Sequence, residues 1–285
     1  LATSRIRALI AFILIFFLFF AARLIQIQAI QANDYRAKAA NEMESTRAIP
    51  AARGEITDIN GVAFARSVSA INIVVDQTLV TNAPATANFA APILGMTVAQ
   101  VQSAISGTKR YSMVARSAKP AVWRNLSDAI DSHNAALSKE NFDKRILGFF
   151  AERNYIREYP SGSLVSSLVG FVRQDGIGAT GLESSMNSLI SGTDGRYSYA
   201  RGLGAEIPGS QNEIIAAKKG TTVRLTIDRD VQWVAANAIQ EAVSKARAAS
   251  GTVIVMDPKT GQILAHATAP TFDPNNTKSV SPSLM

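Results

Sequence analysis

The amino-terminal part of the chain contains fifteen successive residues, 8–22, without a charged or polar side chain (ALIAFILIFFLFFAA). A helix that is apolar on every face lies either in a deep core or in a membrane, because no side of it suits water. A full crossing needs about 20 apolar residues. The flanking Arg7 and Arg23 can reach the interface with their long side chains and so extend the crossing. We therefore predict a transmembrane anchor over residues 8–28, preceded by a cytoplasmic tail of residues 1–7.

The alternative interpretation of this segment is a signal peptide that is removed after export. The tripeptide Phe20-Ala21-Ala22 does not have the A-x-A form of a cleavage site, and the apolar character continues at Leu24, Ile25, Ile27 and Ile30. Both features favour a retained anchor. We therefore expect a single-pass protein of the cell membrane whose bulk is extracytoplasmic.

Composition excludes several kinds of site. The chain has no cysteine, which rules out disulfides, thiol catalysis and cysteine-bound metals. His133 and His266 lie far apart without the spacing of metal ligands, so we predict no metal and no cofactor. The net charge of +7 would suit an anionic partner. Nucleic acid is nevertheless not expected, because there is no basic run, zinc-finger spacing or aromatic RNA-binding signature.

Short predicted strands and helices alternate through the middle of the chain. The first helix is predicted to continue through residues 29–46. A hairpin is predicted at Asn60-Gly61, because Asn-Gly between short apolar runs is a strong hairpin signal. A separate strand is predicted for residues 69–79, and a helix capped by Thr97 for residues 97–110. Further elements are predicted at 111–117 (strand), 119–132 (helix), 148–160 (strand ended by Pro160), 162–172 (helix) and 181–192 (helix).

The pattern changes at Lys218-Lys219-Gly220. Residues 221–228 alternate in polarity, which predicts a strand. Residues 229–250 predict an amphipathic helix with an apolar stripe at Val231, Val234, Ala235, Ala238 and Ala242, beside Ile239, Val243 and Ala246. A buried strand (251–257), a turn (258–261) and a paired strand (262–270) follow.

This last segment resembles the opening of a larger domain. Strand, helix and hairpin form one α/β layer, and only 15 residues follow Pro270. We expect that the chain contains the start of an α/β domain. A small terminal subdomain is the alternative.

Five stretches together resemble a class B penicillin-binding protein, a monofunctional peptidoglycan transpeptidase. They are the anchor, RGEITDINGVAFARS, REYPSGSLVSSLVGFVRQDGIGATGLESSMNSLISGTDG, GTTVRLTIDRDVQ and GTVIVMDPKTGQILAHATAPTFDPNN, in the family's order over residues 6–276. The second stretch departs from the family's D-R-N-G pattern, since Ile59 stands where arginine is usual. The motif residues, which we expect to be structural, are Arg53, Gly54, Asp58, Asn60, Gly61, Tyr159, Pro160, Gly181, Leu182, Glu183, Asp228, Asp257, Pro258 and Gly261.

The resemblance implies an α+β architecture. A single transmembrane helix would carry an elongated, dimerisation-like pedestal over residues 29–218, followed by the incomplete start of an α/β transpeptidase domain over residues 219–285. The implied role is cell-wall synthesis, and the compact pedestal and PTFDPNN favour septal division over elongation. Implied partners are the membrane, a polytopic peptidoglycan glycosyltransferase and other division or elongation proteins. Stem peptides and β-lactams would bind only the complete protein.

Catalysis in such enzymes depends on a serine of an S-x-x-K motif and on a K-T-G strand that docks the substrate. Literal matches to S-x-x-K, to a third family motif of the S-x-N form and to K-T-G occur at Ser106–Lys109, Ser185–Asn187 and Lys259–Gly261, in that order. The nucleophile should open a buried helix, so that the lysine one turn on points back to it. Ser106 instead ends the helical part of its predicted segment, because Gly107 is a typical helix stop. Ser185 lies inside a predicted helix, and Lys259 follows Asp257-Pro258 in a predicted turn.

The family's S-x-x-K motif normally follows FDPNN by a few tens of residues, and this chain ends sooner. We therefore predict that the chain has no catalytic residue and is inactive alone, although its parent would be a serine D,D-transpeptidase. Asp58, Glu183 and Asp257 are interpreted as structural carboxylates. Two alternatives are a non-catalytic interaction module of the wall-synthesis complex and an unrelated lipid- or wall-binding protein.

Overall fold

The computed structural model describes residues 2–26, 31, 44–138, 141, 144–202, 205–206 and 213–276. Its helices are α1 (Ala2–Ile25), α2 (Ala83–Leu94), α3 (Val98–Ile105), α4 (Pro120–Ala136), α5 (Ser166–Val169), α6 (Gly181–Ser185), α7 (Asn187–Ile190) and α8 (Arg229–Ala246). Its strands are β1 (Glu44–Ile49), β2 (Ile56–Thr57), β3 (Ala63–Val75), β4 (Ser112–Ala118), β5 (Phe149–Glu158), β6 (Gly195–Gly202), β7 (Ala205–Glu206), β8 (Glu213–Ile215), β9 (Val223–Arg224), β10 (Gly251–Met256) and β11 (Ile263–Ala269). Within these ranges, no helix combines the length and the apolar composition that a membrane crossing requires.

The contacts within the chain define two units, and the first comprises Leu1–Ala48 and Arg196–Ala216. It contains α1 and a four-stranded sheet in which β6 pairs with β1, β7 and β8. The helix predicted for residues 29–46 is wrong at its end, because residues 44–46 belong to strand β1. The β-branched Thr46 and Ile49 suit a paired strand better than a helix. The remainder of that prediction, apart from residue 31, lies outside the described residues.

The second unit comprises Ile49–Gly195 and Ala217–Met285 and is built on a five-stranded sheet. Its longest strand, β3, pairs antiparallel with β2, β4 and β5, and β9 lies parallel to β2. The hairpin predicted at Asn60-Gly61 is confirmed. The separate strand predicted from residue 69 is wrong, because β5 pairs with β3 continuously from Arg66 to Val75 and holds it as one element.

Helices α2, α3 and α4 pack with this sheet around a core that includes Ile73, Val101 and Leu126. Helix α3 begins at the predicted cap: the side chains of Thr97 and Gln100 form a reciprocal capping box. Helix α2 was not predicted. Its buried face consists mostly of alanines, which give only a weak apolar pattern in a sequence.

A second core joins β2, β3, α5 and α7. It contains Ile56, Phe64, Val169 and Ile190, together with Phe272 from the carboxyl-terminal part of the chain. Val223, Leu225 and Ile227 all contact this core, so the alternation predicted for residues 221–228 places its apolar side chains on one side. Only Val223 and Arg224 form regular strand.

A third core lies between α8 and the hairpin of β10 and β11, around Ala235, Ala265 and Ala267. The prediction that residues 251–257 form a buried strand is wrong in one respect: one face of the strand is exposed. Ile254 and Met256 are each 57% exposed, whereas Val253 and Val255 pack against the core. The reason is that, among the described residues, α8 covers the hairpin on one face only.

The apolar stripe predicted for α8 is also displaced. Val234 is 60% exposed, whereas Gln232 is fully buried. The buried glutamine is stable there because its amide forms hydrogen bonds with backbone groups, which offsets the cost of its removal from water. Hydrophobicity alone therefore misplaced the buried face of the helix.

Candidate functional site

The carboxylate of Glu183 lies between two arginines from distant parts of the chain. Its Oε2 accepts a hydrogen bond from Arg53 Nη2 at 2.8 Å, and its Oε1 accepts one from Arg157 Nε at 2.6 Å. The Glu183 side chain is 0% exposed, and those of Arg53 and Arg157 are 9% and 5% exposed. We refer to these three residues as the arginine–glutamate cluster. It joins the segment before β2, the end of β5 and helix α6.

Further contacts of the two arginines extend this cluster. Arg53 Nη1 donates to Gly176 O and to Asn187 Oδ1, both at 2.9 Å. Arg157 Nη1 donates to Ser67 Oγ at 3.3 Å. Guanidinium groups remain protonated in proteins, so the cluster holds two cations and one anion away from water. Such an arrangement suits a structural role rather than proton transfer, because neither arginine can act as a base.

Glycines bring the surrounding backbone segments into direct contact. A Cβ atom on Gly54 would lie 1.9 Å from Thr221 O, and one on Gly220 would lie 1.7 Å from Ile190 O. The amide of Gly54 donates to Ile190 O at 2.8 Å. These distances leave no space for any side chain, so glycine is required at both positions. The Arg53-Gly54 motif thus combines a buried charge with a close backbone approach.

The hairpin turn is organised by the buried carboxylate of Asp58. Its Oδ1 accepts hydrogen bonds from the amides of Asn60 at 2.8 Å and Val62 at 2.7 Å. Gly61 has φ +87°, which favours glycine. Ile59, at the position that departs from the family pattern, is held by its backbone: its amide donates to Ile227 O at 2.9 Å. The guanidinium of Arg224 donates to Ile59 O.

Tyr159 connects the end of β5 to the carboxyl-terminal part of the chain. Its amide donates to Asn275 Oδ1, and its carbonyl accepts from Asn275 Nδ2, both at 3.0 Å. Its side chain is buried, and burial together with the nearby Glu183 carboxylate raises the pKa of the phenol above its ordinary value. The phenol therefore stays neutral and contributes packing. Pro160, the next residue, is exposed.

Gln232 makes a second connection of this kind. Its Nε2 donates to Leu164 O at 2.9 Å and to His266 O at 3.0 Å, and its Oε1 accepts from the amide of His266 at 2.8 Å. One side chain therefore joins α8, β11 and the segment after Pro160. Thr271 adds a third connection, since its hydroxyl donates to Ser163 O at 3.0 Å.

The K-T-G triplet lies in the turn between β10 and β11, as predicted. Asp257 Oδ1 accepts from the amide of Lys259 at 2.9 Å, and its Oδ2 accepts from the hydroxyl of Thr260 at 2.8 Å. These two hydrogen bonds hold the pKa of the Asp257 carboxyl below its ordinary value. Pro258 is exposed, and Gly261 has φ +72°. The triplet thus forms a turn closed by Asp257 and not a substrate-docking strand.

The other two literal matches also lack the geometry of catalytic motifs. Ser106 is the carboxyl-terminal cap of α3, so the partial negative end of the helix faces it. Ser185 is the last residue of α6, and Met186 separates it from α7. The single helix predicted over 181–192 is therefore two short helices. Both serines are exposed. Neither begins a buried helix.

The structure brings most of the predicted motif residues together. Arg53, Gly54, Tyr159 and Glu183 lie in or beside the arginine–glutamate cluster, and Gly181 and Leu182 begin the helix that carries Glu183. Asp58, Asn60, Pro160 and Asp228 line one open groove of about 710 Å³. Asp228 also caps α8 by accepting from the amides of Asp230 and Val231. Gly61 lies in the adjoining hairpin turn, and the turn of Asp257, Pro258 and Gly261 is separate.

Sequence reasoning did not single out Arg157, Gln232 or Asn275. All three lie within the quoted motif stretches, so their positions carried a signal. For Gln232, a polar residue beside the apolar stripe was a second signal. In the part of the chain that the structure describes, no group of three histidine, aspartate or glutamate side chains could hold a metal.

Comparisons with known proteins agree with these motifs. Residues 48–225 match the model of the penicillin-binding protein dimerisation domain, and residues 251–284 match that of the penicillin-binding protein transpeptidase domain. The penicillin-binding protein PbpB of Mycobacterium tuberculosis is 32% identical over 274 residues, which cover 93% of this chain and 40% of the relative. The chain thus spans about two fifths of that relative's length.

Solved structures of related proteins have the same fold. A peptidoglycan synthetase from Bifidobacterium adolescentis is 29% identical and superimposes with a TM-score of 0.56, over 82% of this chain and 45% of that one. A peptidoglycan synthase complex, described as coordinating polymerization and crosslinking, contains a chain that is 22% identical with a TM-score of 0.55. That match covers 96% of this chain and 47% of the other.

Proposed function

Because this chain belongs to the class B penicillin-binding proteins, we propose that it is the anchor and pedestal of a peptidoglycan D,D-transpeptidase, joined to the opening layer of the catalytic domain. The proposed parts are the cytoplasmic tail (1–7), the anchor (8–28), the pedestal (29–218) and the start of the transpeptidase domain (219–285). Class B penicillin-binding proteins cross-link peptidoglycan, and the pedestal would support the domain that performs this reaction.

The observation that carries this proposal is the set of hydrogen bonds between the pedestal and the catalytic opening layer. Gln232, Thr271 and Asn275 all bond to the backbone of the segment that follows β5. Phe272 packs edge-to-face on Phe171 with ring centroids 6.0 Å apart. A non-catalytic domain that fixes the position of a catalytic one needs such a rigid connection. We infer that the pedestal sets the position and orientation of the transpeptidase domain.

The acylating serine is proposed to lie outside residues 1–285. The positions of Ser106 at the end of a helix and of Lys259 in a turn support this, because neither is placed to activate a nucleophile. In the complete protein, the serine would attack the D-alanyl-D-alanine carbonyl of a stem peptide, and an amine of a neighbouring strand would release the acyl group as a cross-link.

Labelling with a fluorescent penicillin tests this division of roles. The complete protein is expected to form a covalent adduct, and the chain of residues 1–285 is expected to form none. A matched control is the complete protein treated first with unlabelled penicillin. An adduct on the 285-residue chain would contradict the assignment of its serines, and absence of an adduct on the complete protein would favour a non-catalytic interaction module.

The membrane anchor remains a proposal. Its support is that the described side chains of residues 12–20 are apolar and exposed, with exposed fractions of 43–74%. A run of exposed apolar side chains of this kind suits a lipid environment. The chain is expected to stay with the membrane fraction after alkaline carbonate washing, whereas the same chain from residue 44 onward should be released. Release of both chains would contradict the anchor.

Proposed partners are a polytopic peptidoglycan glycosyltransferase and other proteins of the same complex, with septal division favoured over elongation. The similarity to a chain of a peptidoglycan synthase complex supports the first part. A fluorescent fusion of the complete protein is expected at the division site, and the purified protein is expected to retain the glycosyltransferase. A fusion distributed along the side wall would contradict the septal assignment.

A further inference from the structure

An open groove of about 710 Å³ lies between the Asp58 hairpin, the segment after Pro160 and helix α8. Trp233, Asn237 and Gln240 form its helical wall, and their spacing of four and three residues places them on one face of α8. Asn60 and Ser163 line the opposite side. The groove therefore combines one indole with amide and hydroxyl groups. All of these side chains are exposed.

The exposed tryptophan is the unusual feature of this groove. Trp233 is 61% exposed on a helix whose neighbouring Gln232 is fully buried. Large aromatic side chains are preferred at binding surfaces, because a rigid ring offers much contact area at little cost in conformational entropy. The indole also carries one hydrogen-bond donor at its edge. Trp233 thus offers a flat platform at the wall of a polar groove.

The charges of the groove disfavour an anionic ligand. Three carboxylates line it, those of Asp58, Asp228 and Asp230, against one guanidinium, that of Arg229. Asp58 and Asp228 each already accept two backbone hydrogen bonds through Oδ1. These carboxylates are therefore partly committed to the turn and to the helix cap. The neutral polar side chains of the groove are three amides and three hydroxyls, and both kinds of group donate and accept hydrogen bonds.

We propose that this groove binds a neutral N-acetylated saccharide, with one sugar ring stacked on Trp233. The aliphatic C–H face of a pyranose fits a flat indole. Its hydroxyl and acetamido groups match the amides of Asn60, Asn237 and Gln240, which donate and accept in the same way. Together with the proposed function, on which the identity of the glycan rests, the groove would hold a peptidoglycan strand against the pedestal while its stem peptides are cross-linked elsewhere.

The binding test uses the complete protein in detergent, so that the whole domain carrying α8 is present. The probe is tetra-N-acetylchitotetraose, a β-1,4-linked tetramer of N-acetylglucosamine. Isothermal titration calorimetry gives Kd for the wild type and three variants. Trp233→Ala is expected to weaken binding about tenfold, because truncation of a central aromatic anchor has effects of this size. Trp233→Tyr keeps a flat ring and is expected to stay within about threefold of the wild type. Val234→Ala is the matched control, since Val234 is equally exposed on α8 but does not line the groove.

Each result decides the proposal. Loss of affinity in Trp233→Ala, with retention in Trp233→Tyr and Val234→Ala, would support it. No binding by the wild type, or equal weakening in Trp233→Ala and Val234→Ala, would overturn it. Binding of choline at the groove in place of the tetrasaccharide would also overturn it, because the site would then recognise a cation through the tryptophan and the carboxylates. Penicillin labelling of the complete protein is measured separately, so the saccharide site can fail while the proposed function stands.

Discussion

The arginine–glutamate cluster and the layer of α8, β10 and β11 are stabilised in different ways, although both belong to the same unit. In the cluster, Glu183 is completely buried and bonds to two arginines, and glycines hold the adjoining backbones in contact. The layer depends on apolar packing of a helix against one face of a hairpin, and its other face presents Ile254 and Met256 to solvent. The first region pairs its buried carboxylate with two buried arginines, whereas the second leaves one apolar face uncovered among the described residues.

This difference predicts different responses to substitution. A closed region with buried charges and no spare volume has few tolerated changes, because each group depends on the others. A one-sided layer tolerates change on its open face and not on its packed face. Substitutions that compare the two regions are therefore the most informative ones.

The largest effect is expected for Glu183→Ala. Removal of the carboxylate leaves Arg53 and Arg157 buried without a counter-charge, which should lower the free energy of unfolding by about 3–5 kcal/mol. The measurement is the urea unfolding midpoint of the 285-residue chain. Glu158→Ala is the matched control, because Glu158 pairs with Arg66 at the surface and such pairs contribute about 0–1 kcal/mol. Similar losses of unfolding free energy in the two variants would contradict the prediction that the buried cluster contributes more than a surface ion pair.

Gly54→Ala should have the next largest effect. The added Cβ would lie 1.9 Å from Thr221 O, so the paired backbones must separate, and we expect a loss of about 2–3 kcal/mol. Gly95→Ala provides a control with a positive φ but open surroundings, where strain alone costs about 1 kcal/mol. The unfolding midpoints of both variants measure the difference. If Gly95→Ala were the more harmful change, close approach would not explain the motif glycine.

Gln232→Ala tests the connection between the layer of α8, β10 and β11 and the segment after Pro160. It removes three hydrogen bonds and leaves buried backbone groups of His266 and Leu164 without their partner, which should cost about 2 kcal/mol. Gln240→Ala on the same helix should stay within about 0.5 kcal/mol, since this side chain is exposed. Proteolysis of the native variants offers a second readout, because a weakened connection should expose β11 to cleavage.

The two faces of the hairpin provide a smaller, internal comparison. Val253→Ser places a hydroxyl against the core under α8 and should cost about 1–2 kcal/mol. Ile254→Ser on the open face should stay within about 0.5 kcal/mol and should reduce self-association at high protein concentration. Thermal unfolding and light scattering measure the two effects. Equal destabilisation by both changes would mean that the open face is covered in solution.

The smallest effect concerns the pH dependence of the turn between β10 and β11. The pKa of Asp257 is lowered in the folded state, so its contribution to stability is present above the unfolded pKa and is lost as pH falls through the folded pKa. The difference in melting temperature between wild type and Asp257→Asn should therefore be present at about pH 5 and shrink toward about pH 2. A difference that grows on acidification would contradict this assignment.

Local patterns were sufficient for many elements. Asn60-Gly61 identified a hairpin, and Thr97 identified a helix start. The position of Ser106 at a helix end already argued against a nucleophile, because a helix end does not activate a serine. Helix α2 and the continuity of β3 could not be predicted in this way. Alanine gives little apolar periodicity, and the length of β3 depends on its pairing with β5, which lies more than seventy residues away in the sequence.

The sequence by itself determined the class of the protein, through five motif stretches in the family's order. It also determined the turns and most helix starts, because these depend on residues within a few positions of one another. Only the tertiary structure decided which polar residues are buried. Arg53, Arg157 and Glu183 are distant in sequence, and their burial is favourable only when all three meet. The same reason applies to Gln232, whose amide is stable inside the protein only because Leu164 and His266 present backbone partners to it.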